Sequence, residues 1–412
     1  MNTNTPSASN ASSSNKTMAQ LLQHALWHGA SAVIVGMLAA CAGPPLREPA
    51  PVAVPSPAGG TPRPADTAGA LPDDTGPLPG VLQQGKSRWV PVRWTELPGF
   101  AQDPLHEAWN AWVKSCERPG PAFAALCGEV RRLSIGSGAE QRAWMMSRLQ
   151  PYRVEPLQGP SEGLLTAYFE PLLDATRQPA PGFQVPLFRP PATLGQRKPW
   201  YTRQEIDTLP EARAALRGRE IGYLADPVDA LVLQIQGSGR LRLTEPDGSQ
   251  RTVRVAYAAT NDQPYKSVGR WLLDQGLLRD ASWPSIRGWI AQNPQRVNEL
   301  LWSNPRTVFF REETLSPLDA AFGPRGAQGV PLTPGRSIAV DKDSIPYGTP
   351  VWLASSGAAI ELQRLVIAQD TGSAIVGALR ADYFVGWGAE AGELAGRLKQ
   401  PLRMWILWPK RP

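Results

Sequence analysis

The chain has 412 residues with 42% hydrophobic content, 43 prolines and 38 glycines, enough for two domains of short strands and turns rather than a helical bundle. Its 42 lysines and arginines against 36 aspartates and glutamates leave a formal charge of +6, an excess that suits an acidic polymer without choosing one. No dense basic run carries interleaved aromatics, which argues against nucleic acid as a partner. Of the three histidines, His24 and His28 fall in a segment read below as removed, and His106 sits in an amphipathic stretch that reads as helix. A histidine-based zinc site is thereby disfavoured, no metal or organic cofactor is expected, and an acid or base would be a carboxylate.

In chain order, residues 1–17 are rich in Ser, Asn and Thr, and an apolar run from Met18 follows, too short to span a bilayer comfortably. It closes on Leu38-Ala39-Ala40-Cys41, which resembles the lipobox of bacterial lipoproteins, although Lys16 is the only lysine or arginine ahead of it. The resemblance implies a signal peptide over 1–40 and a lipid anchor at Cys41. With Ala42 next, it implies the periplasmic face of the outer membrane in a Gram-negative bacterium. The Pro-, Ala- and Gly-rich stretch 41–85 reads as a tether. Cys116 and Cys127 could close a short loop as a disulfide in an oxidising compartment or remain two thiols; the disulfide is favoured.

The body opens with a strand and turn from Trp89 to Phe100 and a helix with Leu105, Trp109, Trp112, Val113 and Cys116 on one face. A short helix is expected over Gln141–Leu149 and an extended stretch from Gly163 to Arg177, bent at Pro171. Ala230–Gln236 reads as a buried strand stopped by Gly237-Ser238-Gly239, followed by strands at Arg240–Leu243 and Thr252–Ala258 around a Pro246-Asp247-Gly248 turn. Helices are expected at Val268–Leu273, Trp283–Gln292 and Pro294–Trp302. Strands follow at Ser337–Val340, Thr349–Leu353 and Leu362–Ala368, then a helix at Ala389–Leu398 and a strand at Arg403–Trp408. This is a mainly β pattern of two small barrels rather than a parallel α/β sheet.

Strand Leu362–Ala368 delivers Asp370 into Thr371-Gly372-Ser373-Ala374, and Asp382 follows in Arg380-Ala381-Asp382-Tyr383-Phe384. Two carboxylates that converge on one cleft raise each other's pKa, and a carboxylic acid kept neutral near pH 7 is what glycosidic cleavage needs. Asp beside Gly is also a common turn former, so spacing alone leaves that reading open. Gln236, Gly237 and Ser238 could bind acetamido or hydroxyl groups or form a plain turn. Tyr168 and Tyr257 could stack on sugar rings, though aromatics in strands more often fill cores. Glu170, before Pro171, is a weaker candidate for a second acid.

Several blocks in one order resemble the membrane-bound A type of lytic murein transglycosylases. They are GLLTAYFEP (Gly163–Pro171), LQIQGSGRLRL (Leu233–Leu243), YAATNDQPYKSVGRWL (Tyr257–Leu272), NPRTVFFRE (Asn304–Glu312), GVPLTPGRSIAVDKDSIPYGTPVWL (Gly329–Leu353) and, from Ala368 to Gly396, AQDTGSAI with RADYFVGWGAEAGELAG. The resemblance implies a six-stranded double-psi β-barrel of residues 86–175 and 313–412. A second, smaller barrel is inserted over 176–312, with the substrate groove between the two. It places the single catalytic acid on Asp382, a supporting aspartate on Asp370 and a further cleft aspartate on Asp341. Gly372 and Ser373 lie beside the sugar, Ser373 standing where a second glycine is common. The implied reaction cuts the bond between N-acetylmuramic acid and N-acetylglucosamine in peptidoglycan and leaves a 1,6-anhydro end. Peptidoglycan glycan strands and the membrane are the implied partners, other cell-wall enzymes are admitted, and a monomer is expected. A hydrolase leaving reducing ends and a non-catalytic wall-binding lipoprotein are the competing readings.

Overall fold

A computed structural model describes residues 75–159 and 162–410. Cys41, the expected signal segment and the first part of the tether lie outside the described residues. No helix among the described residues is long and apolar enough to cross a membrane.

Among the described residues, fifteen strands form two sheets. Their ranges are β1 Leu82–Gln84, β2 Ser87–Pro91, β3 Leu149–Pro156, β4 Gly163–Glu170 and β5 Leu172–Thr176. Next come β6 Val185–Phe188, β7 Glu220–Leu224, β8 Ser238–Thr244, β9 Gln250–Thr260 and β10 Val308–Thr314. The last are β11 Ser337–Val340, β12 Pro350–Ser355, β13 Leu362–Asp370, β14 Arg380–Trp387 and β15 Lys399–Pro409. In the larger sheet the order is β1-β2-β3-β15-β12-β13-β11-β14-β4, and an additional pairing joins the last strand, β4, back to β15. That pairing closes β15, β12, β13, β11, β14 and β4 into a six-stranded barrel, the double-psi barrel expected from the sequence. Two of its pairings, β11–β13 and β14–β4, are parallel. The smaller sheet runs β10-β9-β8-β5-β7-β6. Its edges nearly meet, because Arg189 beyond β6 pairs with Glu312 on β10 at 3.1 Å.

Alternation along the barrel strands sorts the chain into two environments. Leu165, Ile338, Val340, Val366, Ala368, Ala381, Tyr383 and Met404 belong to the barrel interior. On the outer side, Trp352, Leu365, Ile367, Trp405 and Leu407 are covered by the helix Leu105–Ser115 with Trp109 and Trp112. At about 25 cal/mol per Å², each such buried aromatic contributes several kcal/mol, so this helix is fastened firmly to β13. A disulfide joins Cys116 to Cys127, with Cα atoms 5.5 Å apart.

One predicted strand is a helix. Residues Pro227–Gln236 are helical, not the buried strand read at Ala230–Gln236. Asp226 caps the helix by accepting from Val228 N at 2.8 Å, Pro227 occupies its first turn, and Gly237 ends it at φ 81°. Burial of Val228, Ala230, Leu231 and Leu233 gives the helix an apolar surface wide enough to hide its period. The extended stretch from Gly163 is split at Pro171 into β4 of the barrel and β5 of the smaller sheet.

Candidate active site

Four neighbouring barrel strands carry one row of paired residues. Ala339 on β11 pairs with Asp382 on β14, and Asp382 pairs in turn with Thr166 on β4. On the other side of β11, the register with β13 slips between Ile338 and Ala339, so that Asp370 rather than Gln369 stands opposite Ala339. The slip matters because a one-residue shift exchanges the faces of a strand. Regular alternation would have sent Asp370 inward with Val366 and Ala368. Instead Asp370, Ala339, Asp382 and Thr166 share the outer face, and the small Ala339 leaves room between the carboxylates.

Each carboxylate has its own set of donors. Asp370 accepts from the Tyr168 hydroxyl and from Ala327 N, both at 2.9 Å. Asp382 accepts from the Thr166 hydroxyl, which itself accepts from the Arg380 guanidinium at 2.8 Å. Burial raises Asp382 above its ordinary value, with Thr166 and Arg380 opposing. Burial also pushes Asp370 up to about 6; the fixed donors oppose it and the negative charge of Asp382 adds to it. Both side chains keep some solvent access. Asp370 is the more firmly held by backbone and phenol donors, whereas Asp382 rests on one hydroxyl and is the freer to exchange a proton.

Asp341 is electrostatically different. Burial acts to raise it, but Gly377 N at 2.8 Å, the Lys86 ammonium at 3.0 Å and Asp343 N at 3.0 Å outweigh burial and hold it below its ordinary value. It follows Val340, whose carbonyl accepts from the Thr371 hydroxyl at 2.9 Å, so Asp341 sits beside the turn that carries Gly372 and Ser373. Ser373 is exposed there.

The remaining predicted residues lie on β4, at the end of the helix Pro227–Gln236 and the start of β8, and on β9. The Tyr168 ring lies 5.3 Å from that of Phe384, and its hydroxyl is engaged by Asp370. Gln236 ends a helix and accepts from Phe169 N at 3.0 Å; Gly237 is the left-handed cap, and Ser238 is buried at the start of β8. Tyr257 on β9 is 50% exposed. Glu170 is fully buried against Arg240 and Arg254.

Sequence reasoning missed the residues that support the pair. Gln369, set beside Asp370 by the register slip, donates to Ala111 O at 2.9 Å and Ser115 Oγ at 2.8 Å, pinning the end of β13 to the C-terminal turn of the helix Leu105–Ser115. Gln328 accepts from Ser115 Oγ at 3.0 Å and donates to Arg118 O at 3.1 Å, which fixes the loop whose Ala327 N reaches Asp370. Gly326 lies so close that a Cβ would stand 2.5 Å from Gln369 O. Among the described residues no His, Cys, Asp and Glu group could hold a metal ion.

Comparison with known proteins finds a match to the MltA specific insert domain over residues 164–311 and to the 3D domain over residues 336–408. The chain is 31% identical over 316 residues to the membrane-bound lytic murein transglycosylase A of Vibrio cholerae, covering 74% of this chain and 75% of that protein. Among solved structures, it is similar to the lytic transglycosylase LtgG of Burkholderia pseudomallei at 41% identity, with TM-score 0.55, 81% of this chain and 97% of that chain. MltA of Neisseria gonorrhoeae is similar at 29% identity, with TM-score 0.68, 82% of this chain and 98% of that chain.

Proposed function

This chain belongs to the membrane-bound lytic murein transglycosylase A family, and from that premise we propose that it cleaves the β-1,4 bond between N-acetylmuramic acid and N-acetylglucosamine in peptidoglycan. The observation that carries the chemistry is the outward row Asp370–Ala339–Asp382–Thr166, with the Asp382 carboxyl raised by burial. Neutral Asp382 donates its proton to the glycosidic oxygen as the C1–O bond of the muramic acid breaks. The resulting carboxylate then takes the proton of that sugar's own 6-hydroxyl, whose oxygen bonds to C1 and closes the 1,6-anhydro ring. Since a hydroxyl of the substrate replaces water, one carboxyl serves both steps. Asp370, fixed by Tyr168 and Ala327 across Ala339 from Asp382, is the supporting aspartate.

In this reading the catalytic barrel takes residues 86–175 and 313–412 and the inserted unit 176–312, except that β5 and all of β10 belong to the smaller sheet, which moves its bounds to Leu172 and Thr314. The glycan lies between them, near Asp341, Gln236, Gly237, Ser238, Tyr168, Tyr257, Gly372 and Ser373. A lipid on Cys41 and the tether to residue 85 would keep the monomeric enzyme on the periplasmic face of the outer membrane, within reach of the wall. The elevated Asp370 favours one competing reading, a hydrolase in which Asp370 activates water. The products separate the two. Purified peptidoglycan is digested with the chain and with its Asp382→Asn variant, and the fragment ends are weighed. Ends one water lighter than reducing ends, lost in the variant, are expected; full-mass reducing ends would establish the hydrolase instead.

A further inference from the structure

Glu170 ends β4 at the point where Pro171 takes the chain out of the barrel sheet and into β5 of the smaller sheet. Its side chain is 0% exposed, and a carboxylate so buried requires compensation by charge and hydrogen bonds. Arg254 Nε donates to Oε1 at 2.8 Å and Arg240 Nε to Oε2 at 3.1 Å. Both arginines are buried and both belong to the smaller sheet, on β9 and β8.

The other donors of the two guanidiniums bind the returning chain. Arg240 donates to Ala320 O at 3.0 Å and Phe322 O at 2.9 Å, and Arg254 to Phe322 O at 2.6 Å. Arg240 N donates to Pro171 O at 2.7 Å, and its guanidinium lies 3.8 Å over the ring of Trp387 at the end of β14. One Arg–Glu–Arg cluster therefore fastens both the outgoing connection at Glu170-Pro171 and the returning one at Ala320–Phe322.

Alternation puts Thr166, Tyr168 and Glu170 on one face of β4. Thr166 donates to Asp382 and Tyr168 to Asp370. Three successive side chains of one strand thus bind the first carboxylate, the second carboxylate and the smaller sheet.

We propose that Glu170 is a positioning residue: by locking the end of β4 to Arg240 and Arg254, it keeps Thr166 and Tyr168 on the aspartates and ties the placement of the smaller sheet to the catalytic pair. The functional half of this inference rests on the transglycosylase reading; the geometric half does not. Glu170→Gln, made in the full chain, keeps the shape of the side chain and removes its charge. The first readout needs no turnover. The titration midpoint of Asp370 is followed by carboxyl-carbon NMR in the parent and in the variant. Simple loss of a nearby negative charge would lower that midpoint, whereas loss of the Tyr168 hydrogen bond raises it. We expect a rise of at least about 0.5 pH unit, and an unchanged or lowered midpoint would overturn the proposal.

Because Glu170→Gln leaves two buried guanidiniums short of compensation, a second variant covers loss of folding. Glu170→Leu combined with Arg240→Met and Arg254→Met replaces the cluster by apolar side chains of similar volume. With the fold verified by thermal melting, this variant is read by turnover, because the net positive charge it removes raises the midpoint by itself. Its kcat on peptidoglycan is expected to fall by about tenfold or more, with KM changed much less. Parental kcat in the folded triple variant would reduce Glu170 to a structural role. Anhydro ends from the parent, read alongside, test the transglycosylase reading separately.

Discussion

Asp370→Asn is expected to stabilise the protein at pH 8 and to do so far less at pH 4. Asp370 rises from its ordinary 3.8 to about 6 in the folded chain because burial disfavours its charge. At about 1.4 kcal/mol for each tenfold change in acid strength, that rise corresponds to about 3 kcal/mol. Partial solvent access reduces the expected effect to about 1–3 kcal/mol. The sign follows from proton binding. With its folded value raised, Asp370 contributes stability that is fully present below about 4 and lost as pH rises through about 6. Asn does not titrate and so avoids that loss. It also fits the site, since its carbonyl can accept from Ala327 N while its amide donates to the Tyr168 hydroxyl. Urea unfolding of parent and variant at pH 4 and pH 8 reads the difference. Equal stability increments at the two pH values, or destabilisation at pH 8, would refute the view that buried charge on Asp370 is held against a folding penalty. If Asp370 supports Asp382 as proposed, turnover falls in the same variant even as stability rises.

Thr166→Val removes the hydroxyl between Arg380 and Asp382. The Asp382 titration should move up and kcat should fall by about tenfold or more, while Thr166→Ser restores both; a Val variant with parental kcat would exclude this hydroxyl from the mechanism. Replacing Cys116 and Cys127 together by Ser should lower the unfolding free energy by about 2–3 kcal/mol, read from the urea midpoint. An unchanged midpoint would mean that helix packing alone fixes this loop.

The chemistry-bearing residues were more legible than the geometry that aims them. The spacing of Asp370 and Asp382 alone leaves a turn-forming role open, and it is the family resemblance that marks them as acid and supporting aspartate. The register slip that turns Asp370 outward leaves no mark on the sequence, since Leu365–Ala368 form a continuous apolar run buried on both faces of β13 and no alternation is there to be broken. Gln369 and Gln328 were invisible for a related reason: their partners on the helix Leu105–Ser115 lie 254 and 213 residues away. The helix Pro227–Gln236 was misread despite a legible Asp-Pro start and Gly stop, because its apolar run swamped the period. Glu170 shows the opposite difficulty. A carboxylate next to the site suggests an acid, and only the distant Arg240 and Arg254 reveal that its charge is spent on holding two sheets together.

Closure of the barrel through β4 and β15 has a consequence for how the protein assembles. Thr166 and Asp382 are separated by 216 residues, and all of β5 to β10 lies between them. The smaller sheet can pair among its own strands early, since its long β8–β9 hairpin is local. The barrel cannot close until β15 reaches back to β4. Contacts between such distant residues form slowly, because the entropy of closing the intervening chain is lost before the contact is gained. A nested order results, in which the inserted sheet matures first and shortens the effective loop that the barrel must close. The contact of Thr166 with Asp382 spans the whole inserted sheet and so belongs with these slow, long-range contacts.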